Sequence, residues 1–116
     1  MTVSGTIPEA EALRLVDLIT PAAGGIASRV LAKTGGGNVT LFAFDAGEGL
    51  TEHTTPFDAL VLTLDGALKL TIGGQPVVAA PGTIVRLPAN VPHAVDAVSA
   101  SRMLLIMLRE PKAPSS

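Results

Sequence analysis

The sequence predicts an all-β domain, an antiparallel barrel or sandwich, and three observations support this prediction. From Gly24 onward, runs rich in Val, Ile, Leu and Thr recur at strand-length intervals. Gly, Pro and Asp residues separate these runs, as is typical of turns. No segment after Gly24 shows the apolar spacing of a long helix. A barrel is favoured over an open sandwich, because closure removes exposed sheet edges.

Three regions follow one another along the chain. Residues 1–24 are predicted to form an arm or a short helix, because Pro8 suits a first helical turn and Leu13, Val16 and Ile19 follow a loose helical spacing. The barrel is predicted over residues 25–110. Residues 111–116, which contain only Pro, Lys, Ala and Ser, are predicted to be a disordered tail. The predicted strands cover 26–33, 38–45, 58–64, 67–72, 76–79, 83–87, 93–98 and 102–108.

Turn chemistry and strand patterning add two expectations. Asp65-Gly66 is the strongest hairpin signal, because both residues tolerate the positive φ of a two-residue turn. In the strands at 58–64 and 102–108, apolar residues occupy both faces, whereas a strand with one solvated face would alternate. A second layer must therefore cover the outer face. In so small a barrel a second subunit is the commoner cover, and the sequence predicts a homodimer.

Composition restricts the function classes. The 8 Lys and Arg residues against 10 Asp and Glu residues form no basic patch, so nucleic acid is not expected as a partner. No apolar run reaches the roughly 20 residues that a membrane helix needs, and the N-terminus does not resemble a signal peptide, so a cytoplasmic protein without membrane partners is expected. The chain has no cysteine, so a metal would be bound through His and oxygen ligands.

The candidate site residues centre on His53 and His93, the two histidines of the chain. Taken singly, each suits a partly exposed or core histidine. Their surroundings give a further reading. In the segment 47–66, Gly47, His53 and Gly66 stand at the spacing of the first cupin motif, which reads Gly, five residues, His-x-His, three or four residues, Glu, six residues, Gly. Thr55 stands where that motif has its second His.

The segment 82–93 resembles the second cupin motif: Gly, five residues, Pro-x-Gly, two residues, His. Gly82, Pro88 and His93 match it, and Asn90 replaces the Gly at a position where Asn also tolerates a left-handed backbone. The chain is thus identified as similar to small single-domain members of the cupin superfamily over residues 38–108. The resemblance implies an antiparallel, jelly-roll-like β-barrel and a pocket inside it, with both histidines on inward faces of neighbouring strands.

In cupins that bind metal, the resemblance implies three His and one Glu around iron, manganese, nickel, copper or zinc. Residue by residue, only His53 and His93 carry over, because Ala59 stands at the position of the Glu. Two neutral imidazoles add no charge against a divalent ion, so weak binding of Zn, Ni, Cu, Mn or Fe is expected. Asp58 becomes a third ligand only if the Thr55-Pro56 turn shifts the register by one residue.

The expected pocket residues lie on the same inward faces or at the pocket mouth. Thr55 offers a hydroxyl, Phe57 walls the mouth, and Met103 and Met107 share one face of the last strand, where core packing is their ordinary role and copper the ion that a thioether would support. Three functions follow. The first is a binding module for a small molecule or a loosely held divalent metal. The second is an enzyme, either metal-dependent of the oxygenase or isomerase type or metal-free with a histidine as general base, and the third is a structural or regulatory dimer with a vestigial pocket. The binding module is favoured, because the metal motif has lost half of its ligands.

Overall fold

The computed structural model describes residues 2–4 and 6–109, and it confirms the predicted all-β fold. Within this part of the chain, ten strands and one turn of 3₁₀ helix at Leu15–Asp17 form. The strands are β1 (Thr2–Ser4), β2 (Ile26–Thr34), β3 (Gly37–Phe44), β4 (Gly49–His53), β5 (Asp58–Asp65), β6 (Leu68–Ile72), β7 (Gln75–Ala79), β8 (Ile84–Leu87), β9 (His93–Ala97) and β10 (Ser101–Leu108).

The strands form two sheets that enclose the core, as in a jelly-roll barrel. One sheet has six strands in the order β1-β2-β3-β10-β5-β8, and the other has four in the order β4-β9-β6-β7. All neighbouring pairs are antiparallel except β1 and β2. Alternate residues of both sheets point inward. The inner cluster includes Phe44, Val61, Leu68, Leu70, Leu87, Val95 and Met103, all buried.

Two strands escaped prediction from the sequence. Strand β4 lies at the edge of the four-stranded sheet, and its last three residues, Thr51 to His53, are exposed. Because these residues are not buried, β4 has no apolar run like those that predict the other strands. Strand β1 lies in the segment predicted as an arm or helix and pairs with β2. The short helix expected there is reduced to the 3₁₀ turn.

The N-terminal segment packs on the outer face of the six-stranded sheet instead of forming a regular helix. Ile7, Leu18 and Ile19 join a second apolar cluster with sheet residues that include Leu41 and Leu104. The N-terminal segment therefore forms part of the second layer that was predicted to cover the outer face. The remaining outer face is partly apolar: Leu60, Leu62 and Ile106 are half-buried, and Ile84 is 59% exposed. The Asp58–Arg86 ion pair lies on the same face, because Arg86 is the register partner of Leu60. The homodimer stays a prediction that this surface favours.

The turns differ from the predicted ones in one place. Asp65-Gly66 does not close a hairpin, because β5 belongs to the six-stranded sheet and β6 to the four-stranded sheet. Gly66 has a φ of +80°, and a Cβ there would collide with Ser101 and the Ala100 carbonyl, so the crossing between sheets needs glycine. The two-residue hairpin with positive φ at both positions is instead Gly73-Gly74, between β6 and β7.

None of the helices in the described residues is long and apolar enough to span a membrane. The tail predicted to be disordered, residues 111–116, lies outside the described residues.

Candidate functional site

The structure brings His53 and His93 together at one end of the four-stranded sheet. His53 is the last residue of β4 and His93 the first of β9, and the two are register partners. A register shift between Leu50 and His53 marks a bulge just before the site. The Nε2 atoms lie 3.2 Å apart, and the rings meet edge to face with centroids 4.4 Å apart. The approach predicted from the motif spacing is therefore present in the fold.

The two rings are fixed in the same tautomer by the backbone. His53 Nδ1 lies 3.0 Å from the Thr51 carbonyl oxygen, and His93 Nδ1 lies 3.2 Å from the Val91 carbonyl oxygen. A carbonyl oxygen only accepts, so each Nδ1 carries the proton and donates it. Each neutral ring then has an unprotonated Nε2. Two lone pairs thus face each other across 3.2 Å, an arrangement that a cation or a shared proton between them would stabilise.

The two imidazoles differ in solvent access. His53 is exposed, whereas His93 is 5% exposed. Burial lowers the pKa of His93 below its usual 6.5, the hydrogen bond to the Val91 carbonyl opposes this shift, and the neighbouring His53 adds to it. Around neutral pH His93 is therefore an unprotonated donor held inside the fold, and His53 faces it from the solvent side.

The histidines line a narrow apolar cavity between the sheets. Its volume is about 30 Å³, the space of a single water or ion. Of the predicted pocket residues, Thr55, Ala59, Met103 and Met107 line it. The remaining lining residues are Leu50, Val61, Leu87, Val95 and Leu105. No Asp or Glu of the described residues belongs to this lining.

Phe57 does not line this cavity, which corrects the expectation that it walls the mouth. It borders a separate surface cleft of about 330 Å³ together with Asp58 and Arg109. The Arg109 guanidinium lies 5.3 Å from the centroid of the Phe57 ring, within the range of a cation–π contact. Phe57 is half-buried and lies in the loop between β4 and β5, before the first residue of the strand that lines the cavity.

Asp58 does not join the histidines either. Its carboxylate accepts hydrogen bonds from the Ala89 backbone N–H at 2.8 Å and from Arg86, whose Nη2 lies 2.8 Å away. The N–H of Ala89 lowers the pKa of Asp58, partial burial raises it, and Arg86 adds a smaller lowering. Register explains the placement: Ala59 faces the cavity, so its neighbour Asp58 points to the opposite face. The described residues contain no group of three His, Asp or Glu side chains suited to a metal.

The apolar walls were missed in the sequence, although strand periodicity carries their signal. Val61 follows Ala59 by two residues, Val95 follows His93 by two, and Leu105 lies midway between Met103 and Met107. Period-two spacing from the predicted inward residues would have found them. The carbonyls that orient the rings belong to Thr51 and Val91, two residues before each histidine. No sequence pattern predicts these hydrogen bonds.

Comparison with known families decides the classification. The family model described as "Cupin domain" matches residues 40–109, more than half of the chain. The chain belongs to the cupin family. In this cupin, the matched region contains both histidines and the strands that enclose the cavity.

Solved structures agree with this assignment. A conserved protein of unknown function from Streptococcus pyogenes is 31% identical, with a TM-score of 0.86 over 91% of this chain and 93% of that one. A cupin superfamily protein from Desulfitobacterium hafniense is 28% identical, with a TM-score of 0.85 over 91% and 97%. A cupin 2 conserved barrel domain protein from Leptotrichia buccalis is 36% identical, with a TM-score of 0.80 over 84% and 47%. Comparison with curated proteins finds no match.

The donor set of this cupin fits a metal ion only in part. The Nε2–Nε2 distance of 3.2 Å is shorter than two metal–imidazole bonds of about 2.1 Å each, so both rings can bind the same ion. The cavity has space for one ion. The described lining residues, however, include neither a carboxylate nor a third imidazole, the ligands that would favour a hard divalent ion.

Proposed function

We propose that this cupin is a binding module whose cavity holds one transition-metal ion loosely, through Nε2 of His53 and Nε2 of His93. The observation that carries the proposal is the approach of the two Nε2 atoms to 3.2 Å, with each Nδ1 within hydrogen-bond distance of a backbone carbonyl on the other side of its ring. Such rings are preorganised as donors, because their second nitrogens are already bonded. At the histidine cavity, a small molecule is restricted to the exposed side next to His53, since the space between the sheets is about 30 Å³.

The expected affinity is modest. Two neutral ligands are half of the four that the motif comparison implies, and apolar walls offer no charge to balance the ion. Protein isolated without a metal-affinity tag should hold substoichiometric zinc, nickel or copper. Mild chelation should remove the ion with little loss of fold, because the core and the strand ladders do not include it.

A matched pair of variants tests the proposal. His93→Ala should abolish binding in equilibrium dialysis followed by elemental analysis, because one imidazole remains. Asp58→Asn should leave binding unchanged, since its carboxylate is bonded to Arg86 and Ala89. If His93→Ala binds as well as the natural sequence, the proposal is wrong. If Asp58→Asn loses the ion, Asp58 completes the site in solution and the two-histidine account fails.

A metal-dependent enzyme is the second candidate function, favoured by the exposure of His53. An ion bound to two imidazoles at the solvent side keeps coordination positions for water and substrate. One equivalent of metal retained through dialysis against a chelator would favour this function over the binding module, because it would require ligands beyond the histidine pair.

A further inference from the structure

We infer that the preferred ion is soft and monovalent, Cu(I), and that the thioether of Met107 is its third donor. This inference rests on the proposed function, because it concerns the same histidine pair. It adds the identity of the ion and one further ligand.

Charge is the first reason. Every described residue that lines the cavity is uncharged when the histidines are neutral. The cost of placing an ion among apolar groups grows with the square of its charge, so a monovalent ion costs about one quarter of a divalent one. A site without a carboxylate therefore discriminates against Zn(II) and Ni(II) more strongly than against Cu(I).

Ligand softness is the second reason. Imidazole and thioether donors suit Cu(I), whereas carboxylate and water oxygens suit hard divalent ions. Two methionines line the cavity that contains the histidines. The lining thus combines two imidazoles with soft sulfur and lacks the carboxylate of a hard site.

Strand register indicates which methionine is the third donor to the ion. Met107 pairs with Ala59 at the start of β5, and Ala59 also pairs with Leu87 at the end of β8. Loops of four and five residues join these two strand ends to His53 and His93, so Met107 lies at the histidine end of the sandwich. Met103 pairs with Thr63, four residues and about 13 Å further along the strand.

The space beside Met107 comes from Ala59. Register partners project to the same face, and both residues line the cavity. The alanine side chain ends at Cβ, so it leaves room for the flexible methionine side chain to turn toward the histidines. Met107 is half-buried, whereas Met103 is fully buried in the core.

The test compares Cu(I) and Zn(II) on the apoprotein, with Cu(I) kept reduced under anaerobic conditions. Bicinchoninate competes for Cu(I), and a zinc-responsive chromophoric chelator competes for Zn(II). Met107→Leu should weaken Cu(I) binding about tenfold or more and leave Zn(II) binding unchanged. Ile106→Leu, in the same strand but outside the cavity lining, is the control and should change neither affinity. Thermal unfolding of both variants should show the cooperative transition of a folded protein.

X-ray absorption at the copper edge gives a second readout. The natural protein should show copper–sulfur scattering that Met107→Leu removes and Ile106→Leu keeps. Loss of this scattering in Met103→Leu would instead assign the third donor to Met103 and overturn the inference. Unchanged Cu(I) affinity in folded Met107→Leu, or spectra with nitrogen neighbours alone, would overturn the inference while the dependence on His93 still supports the proposed function. Failure of the natural protein to bind either ion would overturn both.

Discussion

His53 and His93 make the same local hydrogen bond but lie in different surroundings. Each ring donates from Nδ1 to a carbonyl two residues earlier in the chain. His93 is buried against the apolar lining, while His53 is exposed. The pair therefore presents one donor from the protein interior and one from the solvent side, and an ion bound as proposed would enter past the exposed ring.

Restoring the missing motif residues should convert the weak site into a tight one. Thr55→His with Ala59→Glu places a third imidazole and a carboxylate in the cavity lining, so Zn(II) affinity should rise by about a hundredfold or more in a competition titration. Thr55→His with Asp58→Glu is the control, because a carboxylate at position 58 points away. Equal gains in the two double variants would show that the register assignment is wrong.

Asp58 predicts the response of the fold to acid. Hydrogen bonds from Ala89 and Arg86 stabilise its ionised form, so its pKa in the folded state lies below the usual 3.8. The folded state then binds this proton less readily than the unfolded state. The stabilisation is present above pH about 3.8 and is lost as the pH falls through the lowered pKa.

Asp58→Asn should therefore be less stable than the natural protein at neutral pH and should lose less stability between pH 5 and strongly acidic conditions of about pH 2. Urea unfolding across this range measures the difference. Asp96→Asn, at an exposed position of β9, is the control and should follow the natural protein. A parallel pH profile for Asp58→Asn and the natural protein would contradict the assignment.

Among the elements, β5 contains a buried hydroxyl group, that of Thr63, that lacks a hydrogen-bond partner within the described residues. Thr63 is 1% exposed, and its hydroxyl has no hydrogen-bond partner within the described residues. An unpaired buried hydroxyl costs about 1–3 kcal/mol. Thr63→Val keeps the shape and removes this cost, so its free energy of unfolding in urea should rise by about 1 kcal/mol.

The control for this change is Thr83→Val. In the natural protein the Thr83 hydroxyl donates a hydrogen bond to the Ala80 carbonyl at 2.6 Å. Its loss should lower stability. If Thr63→Val is instead destabilised by a similar amount, the Thr63 hydroxyl has a partner in solution, such as an ordered water in the core.

The sequence predicts the elements wherever local chemistry decides them. Apolar runs identify eight of the strands, and Asn90, predicted to tolerate a left-handed backbone, has a φ of +63°. The exposed edge strand β4 has no such run, and the sheet crossing at Gly66 depends on Ser101 from a distant strand. For the site, motif spacing predicts the histidine pair, while the orienting carbonyls and the position of Phe57 at the separate cleft depend on loop geometry.

At the scale of the whole molecule, the outer face of the six-stranded sheet supports the predicted homodimer. The N-terminal segment covers the region near Leu41, and Leu60, Leu62 and Ile106 remain half-buried beside the exposed Ile84. Exposed apolar residues bordered by a charged pair, here Asp58 and Arg86, are typical of an interface. Sedimentation at micromolar concentration should show a dimer.

Ile84→Glu should shift this dimer toward monomer, because it places a charge in the apolar face. Val78→Glu is the matched control: Val78 is 80% exposed on β7, in the other sheet. A monomer for the natural chain, or equal behaviour of the two variants, would rule out this face as the dimer interface.

We infer that the two imidazoles form one donor pair with facing, unprotonated Nε2 atoms. Long-range ¹H–¹⁵N correlation spectra of the histidine side chains test it most directly. In apoprotein at slightly alkaline pH, both rings should show protonated Nδ1 and unprotonated Nε2, and one equivalent of Zn(II) or Cu(I) should shift both Nε2 resonances together. A protonated Nε2 in either ring of the apoprotein, or a metal-induced shift confined to one histidine, would contradict the account.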